Sequence, residues 1–195
     1  MNPQTATLRF AVFPRLGILA DVLLVLAGTG LVAGAAQISF LLPGTPIPIT
    51  GQTFAVVLVG AALGSVRGFL SLSLYLFAGM LLPFYAEGSK GIDQLMGPSG
   101  GYIIGFVAAA ALTGFLAERG LDRRLFSAVG AMFVGNVIIY LCGLPWLATD
   151  LNVSFAKTME LGLNPFIVGD VIKLCIAGAL LPTAWLAVKK INDSR

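Results

Sequence analysis

Residues 164–182 read NPFIVGDVIKLCIAGALLP, an apolar run interrupted by one acid, Asp170, and one base, Lys173. A carboxylate and an ammonium at this separation fall on one face of a helix. If the helix lies in hydrocarbon, each charge costs about 2.5–3.5 kcal/mol at the centre of a bilayer. The fold therefore turns on whether this run is a membrane segment, and what the two charges do there.

The remainder of the chain answers the first question. Of 195 residues, 57% are hydrophobic and 11% charged, with a mean hydropathy of +0.94. Soluble domains average about 25% charged residues, so this chain lacks the polar surface to cover a globule. It reads as an all-α integral membrane protein forming a single membrane domain over residues 1–195. The net charge of +3 does not indicate nucleic acid, because the basic residues are scattered through short connectors. Two cysteines, Cys142 and Cys175, lie in apolar runs and are expected to pack in the core. There is no histidine, so the commonest general base and metal ligand is missing, and no metal set is expected. No cleavable leader stands out, since the first apolar run follows Arg9 and Arg15 and is long enough to span.

Uncharged stretches give six spans at 22–42, 52–66, 68–86, 94–117, 125–149 and 161–188, the second one short. With alternating sides, one face receives Arg9, Arg15, Arg67, Arg119, Arg123, Arg124, Lys189, Lys190 and Arg195, the other Lys90 and Lys157. That asymmetry places both termini in the cytoplasm. An odd number of spans would mix the two sets. The outer connectors, 43–51, 83–100 and 144–164, are longer and richer in Gly and Pro than the inner ones, 65–68 and 118–124. Long structured loops on one face suggest a cap over something, although loops must also simply connect.

Asn164-Pro165 is read as the start of the last helix, with Asn as N-cap and Pro in the first turn. Asp170 and Lys173 then lie shallow, toward the outer face. Two readings follow. The pair either contacts a ligand in the bundle interior, or it is structural, with Asp170 favoured by the helix dipole and Lys173 snorkelling. Gly169 leaves room for a neighbouring backbone or a ligand. One acid and one base together suit a small polar ligand of little net charge. On the first helix, Gly30 and Gly34, with Ala27 nearby, allow close approach of another helix.

Three segments carry a resemblance: GAAQISFLLPGTPIPITGQTFAVVLVGAALGSVRG (34–68), MGPSGGYIIGF (96–106) and NPFIVGDVIK (164–173). They resemble the BioY family, biotin-binding membrane subunits that capture substrate for energy-coupling-factor (ECF) transporters. The resemblance implies six transmembrane helices in the plasma membrane of a prokaryote and no enzymatic activity. It implies biotin held near the outer face, and as partners a transmembrane scaffold subunit and a pair of ABC-type ATPases. No cofactor is expected in this chain, ATP being used by the partners. By position, Asp170 and Lys173 match the family's acid and base, which would hydrogen-bond the ligand's polar groups. Asp170 would take the ureido N–H donors, and Lys173 the ureido oxygen or the valerate carboxylate. Gln37, Thr50, Gln52 and Thr53 either line the same pocket or satisfy irregular backbone around Pro46 and Pro48. Lys90 is a second candidate for the carboxylate, Ser89 beside it a further contact, and Tyr102 a candidate to stack on the bicyclic ring. The family's first helix docks on the scaffold through small residues. Here Ala27, Gly30 and Gly34 take that place, with glycines where alanines are more usual, unless they pack within the chain.

Rival readings include capture of another small vitamin, or a self-sufficient carrier. The latter is usually built from internal repeats and coupling groups, and no half-length repeat is visible. A GxxxxGK[ST] phosphate loop is also absent. A membrane enzyme would need a nucleophile and base that no span supplies.

Overall fold

The computed structural model describes residues 7, 8 and 17–193, with side chains through Lys190. The described residues are mostly helical. Helix α1 is Ile18–Gln37, followed by a two-stranded hairpin, β1 Ser39–Phe40 and β2 Ile49–Thr50. Then come α2 Gln52–Leu63, α3 Ser65–Gly79, a 3-10 turn at Ala86–Gly88 and the short α4 Ile92–Met96. Helices α5 Gly100–Glu118, α6 Leu125–Leu151, α7 Phe155–Gly162 and α8 Ile167–Asp193 complete the order. Among them α1, α5, α6 and α8 are long and apolar enough to cross a membrane, while α2 is apolar but shorter.

Several boundaries differ from the uncharged runs, because absence of charge does not mark where backbone hydrogen bonding changes. The first run ends as helix at Gln37. Beyond it Ser39 pairs with Thr50 and Phe40 with Ile49, and Pro43, Pro46 and Pro48 cannot continue a helix. The run 68–86 stops as helix at Gly79, and 94–117 is divided between α4 and α5. The proposed connector 65–68 is the first turn of α3. The actual break is Gly64 alone, at φ +90°, a conformation that costs a side chain dearly and glycine little. Leu144–Leu151 stays in α6 although Pro145 lies inside it. Asn164 and Pro165 belong to a turn preceding α8, so Asn164 is not its N-cap. Arg9, Arg15 and Arg195 of the charge count lie outside the described residues.

Helix α5 is the centre, with α2, α3 and α6 packed around it. Close crossing there requires small residues. A Cβ at Gly60 would come within 2.4 Å of the Ala110 carbonyl oxygen, and one at Gly114 within 2.4 Å of the Gly64 carbonyl carbon. The Glu118 carboxylate at the end of α5 accepts from the Ser65 N–H at 2.8 Å and its hydroxyl at 2.9 Å, capping α3. Helix α1 is stapled to α3 at two levels. Asp21 and Arg67 form a two-pronged ion pair at 2.9 and 3.0 Å, and the Thr29 hydroxyl donates to Ser71 O at 2.9 Å. Cysteine placement departs from expectation: Cys142 is half-buried and Cys175 exposed. An apolar span can turn such a side chain to lipid as readily as to protein.

Candidate functional site

The hairpin, α2, α5, α6 and α8 converge on a central cavity at one end of the bundle. Its lining includes Ile47, Pro48 and Thr50 from the hairpin, Gln52 and Thr53 from α2, and Lys173 from α8. Tyr102 and Phe106 of α5, Ile139 and Tyr140 of α6, and Phe166 before α8 supply the apolar wall. Its volume is about 50 Å³, far below the roughly 300 Å³ minimum of drug-sized ligand pockets. A ligand larger than a few waters enters only by displacing the walls.

Of the acid–base pair, Lys173 lines the cavity while Asp170 is buried behind that lining, and the two are knitted to two other helices. Asp170 is 5% exposed and accepts from Lys173 Nζ at 3.2 Å, from the Thr53 hydroxyl at 3.2 Å, and from the Tyr140 hydroxyl. Lys173 Nζ also donates to Thr53 Oγ1 at 3.1 Å. A carboxylate offers about four acceptor positions, so three are taken and one remains. The pair sits within the first two turns of α8, where the helix N-terminus favours the anion. Gly169 has nothing within 4 Å of where a Cβ would stand, so it is not a close helix contact.

Thr50 and Gln52 are joined in a second network along the cavity wall. The Thr50 hydroxyl donates to Gln52 Oε1 at 2.9 Å, Gln52 Nε2 to Tyr75 Oη at 2.5 Å, and the Tyr75 hydroxyl to Phe84 O at 3.2 Å. This chain fixes which way the Gln52 amide points. The Tyr102 ring meets Tyr140 edge-to-face, centroids 6.1 Å apart, and its hydroxyl donates to Gly162 O at 2.9 Å. The packing is tight enough that a Cβ at Gly143 would fall 2.4 Å from the Tyr102 ring.

Three sequence candidates stand apart from this lining. Gln37 donates to Ala33 O and Tyr85 O at 3.0 and 3.2 Å, satisfying loop backbone. Ser89 donates to Ala86 O at 2.7 Å within its own turn, and Lys90 is exposed. Neither loop residue lines the cavity. Conversely, sequence reading passed over Tyr140, Gln94, Ser99, Phe106 and Phe166. Tyr140 left one signal: a hydroxyl inside an apolar span, where a polar group needs a partner. The others sit in runs where nothing marks a lining position.

Comparison with known proteins adds the lineage. The model of the BioY family matches residues 4–190. The chain belongs to the BioY family. It is 41% identical over 158 residues to a protein named "Probable biotin transporter BioY" from Pyrococcus horikoshii, covering 80% of this chain and 91% of that one. A "Biotin transporter BioY" from Thermotoga maritima is 34% identical over 168 residues, covering 86% and 94%. One from Rhizobium etli is 34% identical, covering 69% and 76%. All three carry transporter names and none an enzyme's. The fold matches the crystal structure of an S-component for biotin from an ECF-type ABC transporter, with TM-score 0.79 over 87% of this chain and 94% of that one. Identity there is 21%, so that likeness concerns the fold alone.

Proposed function

We propose that this chain captures biotin at its central cavity and serves as the substrate-specific subunit of an ECF-type transporter. The observation that carries this is that Lys173, Thr53 and Tyr140 line an aromatic cavity and all three are bonded to the buried Asp170 behind them, in a chain of this family. One carboxylate with an open acceptor position, one ammonium and flanking aromatic rings suit a ligand with a ureido group and an apolar bicycle. Asp170 takes ureido N–H donors, and Lys173 the ureido oxygen or the carboxylate. Thr50 and Gln52 present further polar groups, and Tyr102 stacks on the bicyclic ring. The chain acts by binding and reorienting, not by bond chemistry.

The six main helices, α1, α2, α3, α5, α6 and α8, each cross the plasma membrane of a prokaryote, with both termini cytoplasmic. The Lys/Arg asymmetry favours this arrangement. The cavity then opens outward, and the hairpin loop is its lid: Ile47 and Pro48 line the cavity, and Thr45 ties the loop to Leu161 O at 2.7 Å. Ala27, Gly30 and Gly34 lie on an exposed face of α1, with nothing among the described residues within 4 Å of a Cβ at either glycine. That open face suits docking of the scaffold subunit, through which the paired ATPases supply ATP-driven work.

Equilibrium binding of labelled biotin to the purified chain in detergent tests the reading. Saturable tight binding, competed by unlabelled biotin and not by other vitamins, is expected. Absence of saturation would remove the proposal.

A further inference from the structure

Beside the Tyr140–Asp170 pair, α6, α7 and α8 line a second, open cleft. It measures about 510 Å³, within the roughly 300–1,000 Å³ of small-ligand sites. Its walls are hydrocarbon, from Phe133 and Leu141 of α6, Phe155 and Met159 of α7, and Val171 and Leu174 of α8. Leu141 is 63% and Phe155 74% exposed. The cleft therefore opens sideways, toward lipid.

Polar groups in the wall are Asn136, Tyr140 and Asp170. Tyr140 and Asp170 are already bonded to each other. Asn136 differs: it is 5% exposed and its Oδ1 has no hydrogen-bond partner among the described residues. It lies one turn from Tyr140 on the same face of α6. At 1.5 Å per residue it stands roughly 16 Å from the start of α6, near the middle of a bilayer about 30 Å thick. An unsatisfied amide is costly there, because hydrocarbon offers no substitute partner.

We propose that this cleft is a second binding site, filled from the bilayer by an uncharged single-chain amphiphile whose hydrogen-bonding head meets the Asn136 amide. The charge follows from the walls. The Asp170 carboxylate repels an anion, and Lys173, the base beside it, is bonded to Asp170 and Thr53 and lines the central cavity instead. A cation would have to shed water at mid-bilayer, where the one carboxylate in the wall is already neutralised by Lys173 and bonded to Thr53 and Tyr140. The occupant would press on the outer side of the Tyr140 ring, whose hydroxyl orients Asp170. Its occupancy and ligand affinity in the central cavity are then linked, each altering the other by the same factor.

The test uses the full chain in lipid nanodiscs containing a trace of diazirine-tagged 1-monoacylglycerol. After irradiation, adducts are mapped by peptide mass spectrometry. Adducts are expected to concentrate on residues 133–144 and 163–174 and to be competed by untagged 1-monoacylglycerol. Asn136→Leu lowers them about fivefold, the effect of one lost hydrogen bond. Leu141→Trp, which fills the mouth from an exposed position, lowers them as well. A normal thermal melt certifies that each variant is folded, so the test stands apart from the biotin reading. Labelling no denser than on the outward side of α1, unchanged labelling in Asn136→Leu, or competition by a diacyl phospholipid alone would each overturn the proposal.

Discussion

Removing the charge on Lys173 is the sharpest perturbation of the central site. At 3.2 Å, the Asp170–Lys173 attraction is worth about 5 kcal/mol at an effective dielectric of 20. Desolvation of the two groups offsets much of that. Breaking a buried pair from one side costs about 3–5 kcal/mol, because an unpaired charge remains. Asp170 keeps the Thr53 and Tyr140 hydroxyls, so the stability loss for Lys173→Met should fall near the lower end, about 3 kcal/mol. Asp170→Asn in the same chain leaves no orphaned charge, and the double variant should recover most of that loss. Binding should respond differently. Each single variant removes a polar partner from the ligand, costing about 1–3 kcal/mol of affinity, or roughly 5- to 150-fold. The double variant should remain weak, since stability returns without the ligand contacts. Thermal melts and titration calorimetry with biotin on the four proteins separate the two effects. Biotin affinity within threefold of wild type in both single variants would refute the reasoning and leave the pair structural.

Three further outcomes follow from the geometry. Thr45→Val removes the tie between the hairpin loop and Leu161 O. Losing one hydrogen bond of about 1 kcal/mol should raise the biotin dissociation rate about fivefold in stopped-flow experiments; an unchanged rate would show that the loop is not the lid. Gly30→Leu with Gly34→Leu, on the open face of α1, should leave melting and biotin affinity unaltered yet abolish ATP-coupled uptake by the reconstituted complex. Retained uptake would place the scaffold elsewhere. Asp122, in the α5–α6 connector, has its carboxyl pushed above the usual range, chiefly by burial, while Trp185 Nε1–H and Arg123 oppose the shift. A raised folded-state pKa means the protonated form is favoured on folding, so its stabilisation grows as pH falls through the folded value toward the unfolded one, near 3.8. Melting temperature should therefore rise on mild acidification relative to Asp122→Asn. Parallel pH profiles of the two proteins would contradict this.

Composition and charge order alone determined that the chain is a helical membrane protein, because burying so many apolar side chains with so few charges leaves no soluble alternative. The run around Asp170 and Lys173 likewise marked two charges in a span that need partners, and left open whether those partners are a ligand or the protein itself. What the sequence does not hold is the identity of those partners. Thr53 and Tyr140 lie 117 and 30 residues from Asp170, and only the packing of α2, α6 and α8 brings the three hydroxyl and carboxylate groups together. Gln37 shows the converse. It is close in sequence to the hairpin, yet its amide turns to the Tyr85 carbonyl because α1 ends there and the loop after α3 passes over it. Helix ends differ for a similar reason: hydrogen bonds within the hairpin, to the Glu118 carboxylate and to the Met159 carbonyl set them. Local composition reports which residues prefer hydrocarbon. Direction, register and partner are properties of the assembled bundle, fixed when distant helices compete for the same few polar groups.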